Sequence, residues 1–361
     1  MQPKNLLQSL DFVALLYYHI LRKKAIDRER KDMMNVGIIG CAGHYGIAVD
    51  SADEWKTCLI RAAASPKDGT DDTGLRILAE RRGIPFYEDW REMLAKEKLD
   101  LVEVDTRYDL HAPVAAECLK KGFHVYCEKP LATEREELEA LTNAYRTSGR
   151  SLGGMFNLQW TGWFLGVKKA VQEGQIGKVR LIHAQKSYKF GTRPDFYRRR
   201  ASYGGMIPWV AIHALDWCLW LGGRCLSVSA LQSARDNHGH GEMEMSAVMQ
   251  MELENEVFAT VSADYFRPVG GARHDDDRIR VTGTKGMIEV IDGVAYLEND
   301  LHRRAIPLPA PGDPFGEFVR AIENGTADMF AFDALEATRI ALLAREAGDR
   351  KCTLRTNEKT K

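Results

Sequence analysis

From Met34 onward the chain alternates short apolar runs with segments whose apolar residues recur every three or four positions. "NVGIIG", "CLIRAAAS", "DLVEVDT" and "FHVYCEK" read as strands with little polar interruption, the pattern of a parallel sheet covered on both faces. Between them, "GLRILAERRG" (74–83) and "HAPVAAECLKKG" (111–122) carry the helical period and end on glycine, which suits a helix C-cap. "TEREELEALTNAYRTSG" predicts another helix, with Thr133 as its cap and Glu136 three residues on completing a capping box. Strand then helix, repeated four times, predicts a doubly wound parallel sheet.

After about residue 155 the rhythm changes. One helix ("WFLGVKKAVQEG") is followed by longer alternating runs: "VRLIHAQKSY", "SAVMQMELEN", "VFATVSADYF" and "RIRVTGTKGMIEVID". Alternation and the turn residues between runs predict an open, largely antiparallel sheet, closed by two helices at 315–324 and 332–347. The fold class expected is therefore α/β, an N-terminal Rossmann-type parallel sheet plus a C-terminal α+β domain. The boundaries expected are an N-terminal extension at 1–33, a first, parallel-sheet domain at 34–155 and a second, α+β domain at 156–361.

Composition narrows the class. The chain has 361 residues, 28% of them charged, and a formal net charge of -1, which argues against nucleic acid as a partner. Its 7 cysteines are scattered with no Cys-x-x-Cys pair, so neither a disulfide framework nor a structural zinc site is expected, and a reducing cytoplasm fits. The apolar run at 12–21, "FVALLYYHIL", is too short to span a bilayer and is followed by a charge run, so no membrane partner is expected. "NHGHGEMEM" (237–245) reads as a loop tip rather than a metal site, and "RHDDDR" (273–278) as a charged loop.

Two stretches carry candidate chemistry. "VGIIGCAGHYG" places Gly40, Gly43 and Gly46 where the first strand turns into a helix, the context of a dinucleotide fingerprint. Ala42 replaces the usual middle glycine and the third glycine falls one position late, so an enlarged loop with His44 and Tyr45 facing the phosphates is expected. The second strand ends at Ser65, followed by Pro66 and Lys67, which leans the cofactor towards NADP over NAD, while Asp68, Asp71 and Asp72 could reverse that choice. The second stretch is "VYCEKPLAT" (125–133). It puts Glu128 and Lys129 at the carboxyl end of a strand, where a lysine points into a cleft, loses hydration and becomes useful for proton transfer.

The chain from Met34 to about Cys352 resembles the Gfo/Idh/MocA family of NAD(P)-dependent oxidoreductases. "VGIIGCAG", "EDWREMLAKEKLDLVEVDT", "HAPVAAECLKKGFHVYCEKPLA", "GQIGKV", "YGGMIPWVAIHALDWCLWLGG" and "IRVTGTKGMIEV" carry the resemblance in the expected order. It implies that Lys129 lies beside the nicotinamide and the substrate hydroxyl. The family's Thr-Pro-Asn-x-x-His stretch reads "TRYDLH" here, which implies cofactor contacts from Thr106, Tyr108 and His111 in altered form. Its G-G-x-x-x-D-x-x-x-H-x-x-D segment matches at His213 and Asp216, implying that His213 is the second acid/base, but Trp209 stands where the aspartate belongs. Trp209, Asn157, Tyr197 and Asp216 are the expected substrate contacts. The activity implied is hydride transfer between NAD or NADP and a sugar, inositol or other polyol. Trp209 keeps open a non-catalytic cofactor-binding sensor, and an NAD-assisted glycoside cleavage or epimerisation is a further alternative within enzymes. The resemblance further implies a homo-dimer or homo-tetramer.

Overall fold

The computed structural model describes residues 33–356, so the expected N-terminal extension lies almost entirely outside the described residues. Six strands form the first sheet: β1 Met34–Ile39, β2 Cys58–Ala64, β3 Phe86–Tyr87, β4 Leu101–Val104, β5 His124–Cys127 and β6 Leu152–Gly154. They lie in the order β3-β2-β1-β4-β5-β6, all parallel. Strand β3, two residues long, carries too little pattern to be read from sequence. The order reverses between β1 and β4, whose ends lie side by side with Ile39 opposite Val104. A crevice at such a switch point is where open α/β sheets bind ligands.

The second sheet has nine strands: β7 Val179–Tyr188, β8 Cys225–Ser233, β9 Ser246–Leu253, β10 Val257–Asp264, β11 Asp275–Gly283, β12 Met287–Ile291, β13 Val294–Glu298, β14 Arg303–Ala305 and β15 Thr353–Arg355. The expected hairpins form, with Leu253 opposite Val257 and Thr282 opposite Met287. Among the described strands of this sheet only β7 and β10 pair in parallel. The helix Ile212–Gly222 packs across β7 and β10, so one sheet face is buried. The other face leaves Leu231, Val248 and Phe258 exposed, at 60%, 49% and 54%.

Three expectations are corrected here. "RHDDDR" is not a loop: Asp275–Asp277 open β11, and Asp277 is buried against Lys186 of β7. The helix after Lys129 runs Arg135–Ser148 and is capped by Glu134, not Thr133; its box partner is Glu137, whose carboxylate accepts the N–H of both Thr133 and Glu134. Finally, the helix Pro314–Glu323 leaves the second domain and returns to the first sheet. Phe315 and Phe318 pack on Tyr126 of β5 at 5.2 and 5.3 Å between ring centres. The last long helix, Asp328–Arg350, then bridges both sheets. From it Arg345 donates to the carbonyls of Thr133 (2.8 Å) and Gly204 (2.9 Å), tying the segment after Lys129 to the segment before Trp209.

Candidate active site

The site grows from the end of β5. Glu128 N donates to the Val104 carbonyl at 2.9 Å, which carries the chain past the sheet edge, and the Lys129–Pro130 peptide is cis. Lys129 is 2% exposed. Its Nζ donates to the Trp209 carbonyl at 2.9 Å and lies 3.1 Å from the centre of the Trp209 ring. Among the described residues no carboxylate hydrogen-bonds this ammonium. Burial lowers its pKa to about 7, with the Glu128 charge opposing the fall and that of Lys186 adding to it.

Trp209 sits in a wide π turn, Ile207–Ala211, which runs straight into the helix bearing His213 one turn later. His213 is buried, and its Nδ1 has no partner. Burial, then the charges of Lys129, Lys186 and His44, push its pKa well below the ordinary value, so the imidazole is neutral. Around this pair stands an aromatic wall. Trp209 stacks on Tyr108 at 4.0 Å, the Tyr108 and Tyr197 hydroxyls meet at 2.8 Å, and the His44 ring lies parallel to Trp209 at 6.2 Å. The structure thus brings together Lys129, His213, Trp209, Tyr108, Tyr197, His44 and Glu128 from both halves of the chain.

Four expected contacts are committed elsewhere. His111 holds Nδ1 2.7 Å from the Pro130 carbonyl and Nε2 3.0 Å from that of Thr106, leaving neither ring nitrogen for a ligand; it is a strut between the β4 and β5 loops. The Thr106 hydroxyl donates to the Arg107 carbonyl at 3.1 Å. Both Asp216 oxygens accept from Gln159 Nε2 at 2.8 Å, and Lys168 Nζ donates to the other end of that amide at 3.1 Å. Three residues past His213, Asp216 therefore supports the helix instead of a substrate. Asn157 lines a separate groove of about 660 Å³ with Trp55, Trp160, Trp163 and Pro309.

The glycine turn also differs from expectation. Ala42 N donates to the Asp105 carbonyl (2.9 Å), Gly43 N to Asp105 Oδ1 (2.7 Å) and His44 N to Glu128 Oε2 (2.9 Å). The His44 ring turns inward, its Nδ1 2.5 Å from the same Glu128 oxygen, and Tyr45 leans on Gly74 of the next helix. The His44 side chain nevertheless stays partly exposed, at 45%. Burial alone would raise the pKa of Glu128, but His44, followed by Lys129, holds it at about 2; Asp105 goes the other way, to about 8, through burial and then the Glu128 charge. Asp105 is the residue the sequence reading missed. Its signal was a second acidic residue, two positions after Glu103, one step past the end of a fully buried strand.

These residues still fit a dinucleotide. Gly40 is glycine for an internal reason, since its φ is +81° and a Cβ would lie 2.5 Å from the Asp105 carbonyl oxygen. A Cβ on Gly46 would meet nothing within 4 Å, so the turn is open there, where an approaching ligand backbone has room. The orphaned His213 nitrogen is a polar group without a partner, and the Lys129 ammonium, which donates to the Trp209 carbonyl, has further N–H donors; a nicotinamide and a hydroxylated substrate supply partners of that kind. At the end of β2, Lys67 is drawn to Asp89 at 3.0 Å, and Asp68 accepts the Arg107 N–H at 2.7 Å.

Comparison with known proteins agrees with this geometry. Residues 34–154 match the model of an oxidoreductase family with an NAD-binding Rossmann fold, and 164–289 match the GFO/IDH/MocA C-terminal domain. The solved structure of a presumed oxidoreductase from Thermotoga maritima superposes with a TM-score of 0.85 at 39% identity, covering 89% of this chain and 100% of that one. A levoglucosan dehydrogenase in complex with NADH shares the fold at 19% identity and a TM-score of 0.75, covering 91% of this chain and 100% of that one. Inositol 2-dehydrogenase 2 of Saccharopolyspora erythraea is 25% identical over 240 residues, 63% of this chain and 66% of its own length. Two further curated relatives are matched over only 54% and 38% of their length. With both halves matched in the same order, and a full-length relative at this identity, the chain belongs to the Gfo/Idh/MocA oxidoreductase family.

Proposed function

We propose that this protein is an NAD-dependent oxidoreductase that moves a hydride between nicotinamide and a CH–OH carbon of a sugar, inositol or related polyol. The observation that carries the reading is Lys129: a buried ammonium with no carboxylate partner, a pKa near 7, and a neutral histidine one turn beyond the tryptophan it covers. A bound nicotinamide supplies the hydride acceptor or donor. Lys129, when neutral, takes the hydroxyl proton of the alcohol at Nζ, and in the reverse direction the ammonium gives it back. His213 accepts or donates a hydrogen bond at Nδ1, orienting a second hydroxyl. Trp209 contributes an apolar face of the kind that packs on sugar C–H groups, and the Tyr108–Tyr197 pair holds that indole in place.

NAD is favoured over the NADP first expected. Lys67, the cation that could greet a 2′-phosphate, is engaged by Asp89, and Asp68, Asp71 and Asp72 crowd the same loop with like charge. The exposed face of the nine-stranded sheet, with Leu231, Val248 and Phe258, is proposed to pair with a second copy, because such an apolar patch calls for a cover. Val248→Glu together with Phe258→Glu then lowers the sedimenting mass to that of one chain. No helix among the described residues is long and apolar enough to cross a membrane. A reducing, cytoplasmic setting is proposed from the seven free cysteines alone.

Incubation with NAD or NADP and a panel of polyols and aldoses, followed by absorbance of reduced nicotinamide, tests the reading. Turnover with NAD and at least one polyol is expected. Tight NADH binding without turnover on any member would favour the sensor reading, to which Trp209 in place of a carboxylate lends support. Product without a steady absorbance change would indicate a retained NAD.

A further inference from the structure

A Rossmann turn ordinarily offers its backbone N–H groups to a diphosphate. Here three successive N–H groups, at Ala42, Gly43 and His44, are taken by oxygens of Asp105 and Glu128, both fully buried. Gly43 is the telling position. A Cβ there would lie 2.3 Å from Glu128 Oε2 and 2.9 Å from Asp105 Oδ1, so the residue is glycine in order to admit the chain's own carboxyl groups. Asp105 directly follows β4, and its N–H donates to the Ile39 carbonyl at 2.8 Å, so its backbone is fixed beneath the turn. Its Oδ2 is buried without a partner. One N–H cannot serve both a carboxyl oxygen and a phosphate oxygen at full strength, and an ionised carboxylate at that spot repels a diphosphate.

We propose that Asp105 is a built-in competitor for the diphosphate of a dinucleotide, so that the charge it carries sets how tightly the cofactor is held. The inference rests on the dinucleotide reading of the crevice and adds to it: the cofactor is a dissociable co-substrate, released more readily as Asp105 ionises. The titratable groups around Asp105 are Glu103 on its own strand, Cys41, His44 and Tyr45 on the glycine turn, Tyr108 on the next turn, and Cys127, Glu128 and Lys129 at the end of β5. Several of these change charge with pH, so only the ratio between wild type and a variant isolates Asp105.

The experiment is equilibrium titration of wild type and Asp105→Asn with NADH and with ADP-ribose, at about pH 6.5 and about pH 9, with adenosine as the phosphate-free control. The expected ratio of dissociation constants, wild type over variant, is near one at the acid end and grows to about tenfold at the alkaline end for both diphosphates. For adenosine it stays near one. Asp105→Ser, which also removes the charge, behaves the same way and serves if the asparagine variant does not fold. A ratio that does not change with pH, or that changes equally for adenosine, overturns the inference while leaving the cofactor reading intact. If neither wild type nor variants bind NADH or ADP-ribose, the cofactor reading itself fails, and the inference with it.

Discussion

Two lysines are buried in this molecule to nearly the same degree, Lys129 at 2% and Lys186 at 1% exposure, and their surroundings differ in one respect. Lys186, on β7, holds both oxygens of Asp277 at 2.5 and 2.6 Å. Lys129 has a carbonyl and an indole face. Burial lowers the pKa of both, but at Lys186 the Asp277 charge opposes it directly through a contact pair, whereas at Lys129 the nearest acid, Glu128, is already spent on His44, the glycine turn and the Lys129 N–H. A paired buried ammonium is an architectural element. An unpaired one near neutrality is a group kept ready to gain or lose a proton.

Substitutions separate the two. Lys129→Ala is expected to lower kcat/KM by about 10²–10⁴-fold while changing NADH affinity little, since it removes a proton-transfer group; steady-state kinetics and NADH titration check it. Lys186→Met strands Asp277 in the core and should cost about 3–5 kcal/mol in urea unfolding, most of which the double variant Lys186→Met, Asp277→Leu recovers. Equal loss from the double variant would mean that the pair matters for something besides burial.

The pH profile sharpens the contrast further. Oxidation of an alcohol needs the neutral amine, so kcat/KM should rise as pH increases through about 7, the value to which burial brings Lys129. Trp209→Asp supplies a carboxylate beside the ammonium; opposite charge favours the protonated form, so the midpoint should move up by about one to two units. The smallest effect expected is that of His213→Gln, about tenfold in kcat/KM with the midpoint unmoved, because its role is a hydrogen bond to substrate and not the proton that titrates.

Much of this was legible in the sequence, for identifiable reasons. Strand length and apolar runs gave both sheets, because burial on one or two faces imprints a period. Lys129 was legible because a lysine at the end of a buried strand has nowhere else to go. The glycine turn was legible as a dinucleotide fingerprint, in agreement with the NAD-binding family match; the sequence did not show that Gly43 also admits the carboxyl groups of Asp105 and Glu128, because glycine is demanded equally by an approaching phosphate and by an approaching carboxyl group. His111 and Asp216 misled for a related reason. Residue type fixes what a side chain can do, but partners 5 to 57 positions away fixed what it does. The return of Phe315 and Phe318 to the first sheet left no local trace, because an amphipathic helix does not say against which sheet it packs.

The proposed chemistry depends on the ionisation of one side chain, Lys129, and heteronuclear NMR of protein labelled at lysine nitrogen reads it directly. Titration of the Lys129 Nζ resonance, assigned by its loss in Lys129→Ala, should give a midpoint near 7 that shifts when NADH is added. A midpoint near 10, the same with and without NADH, would show an ordinary lysine outside any cofactor crevice and contradict the account.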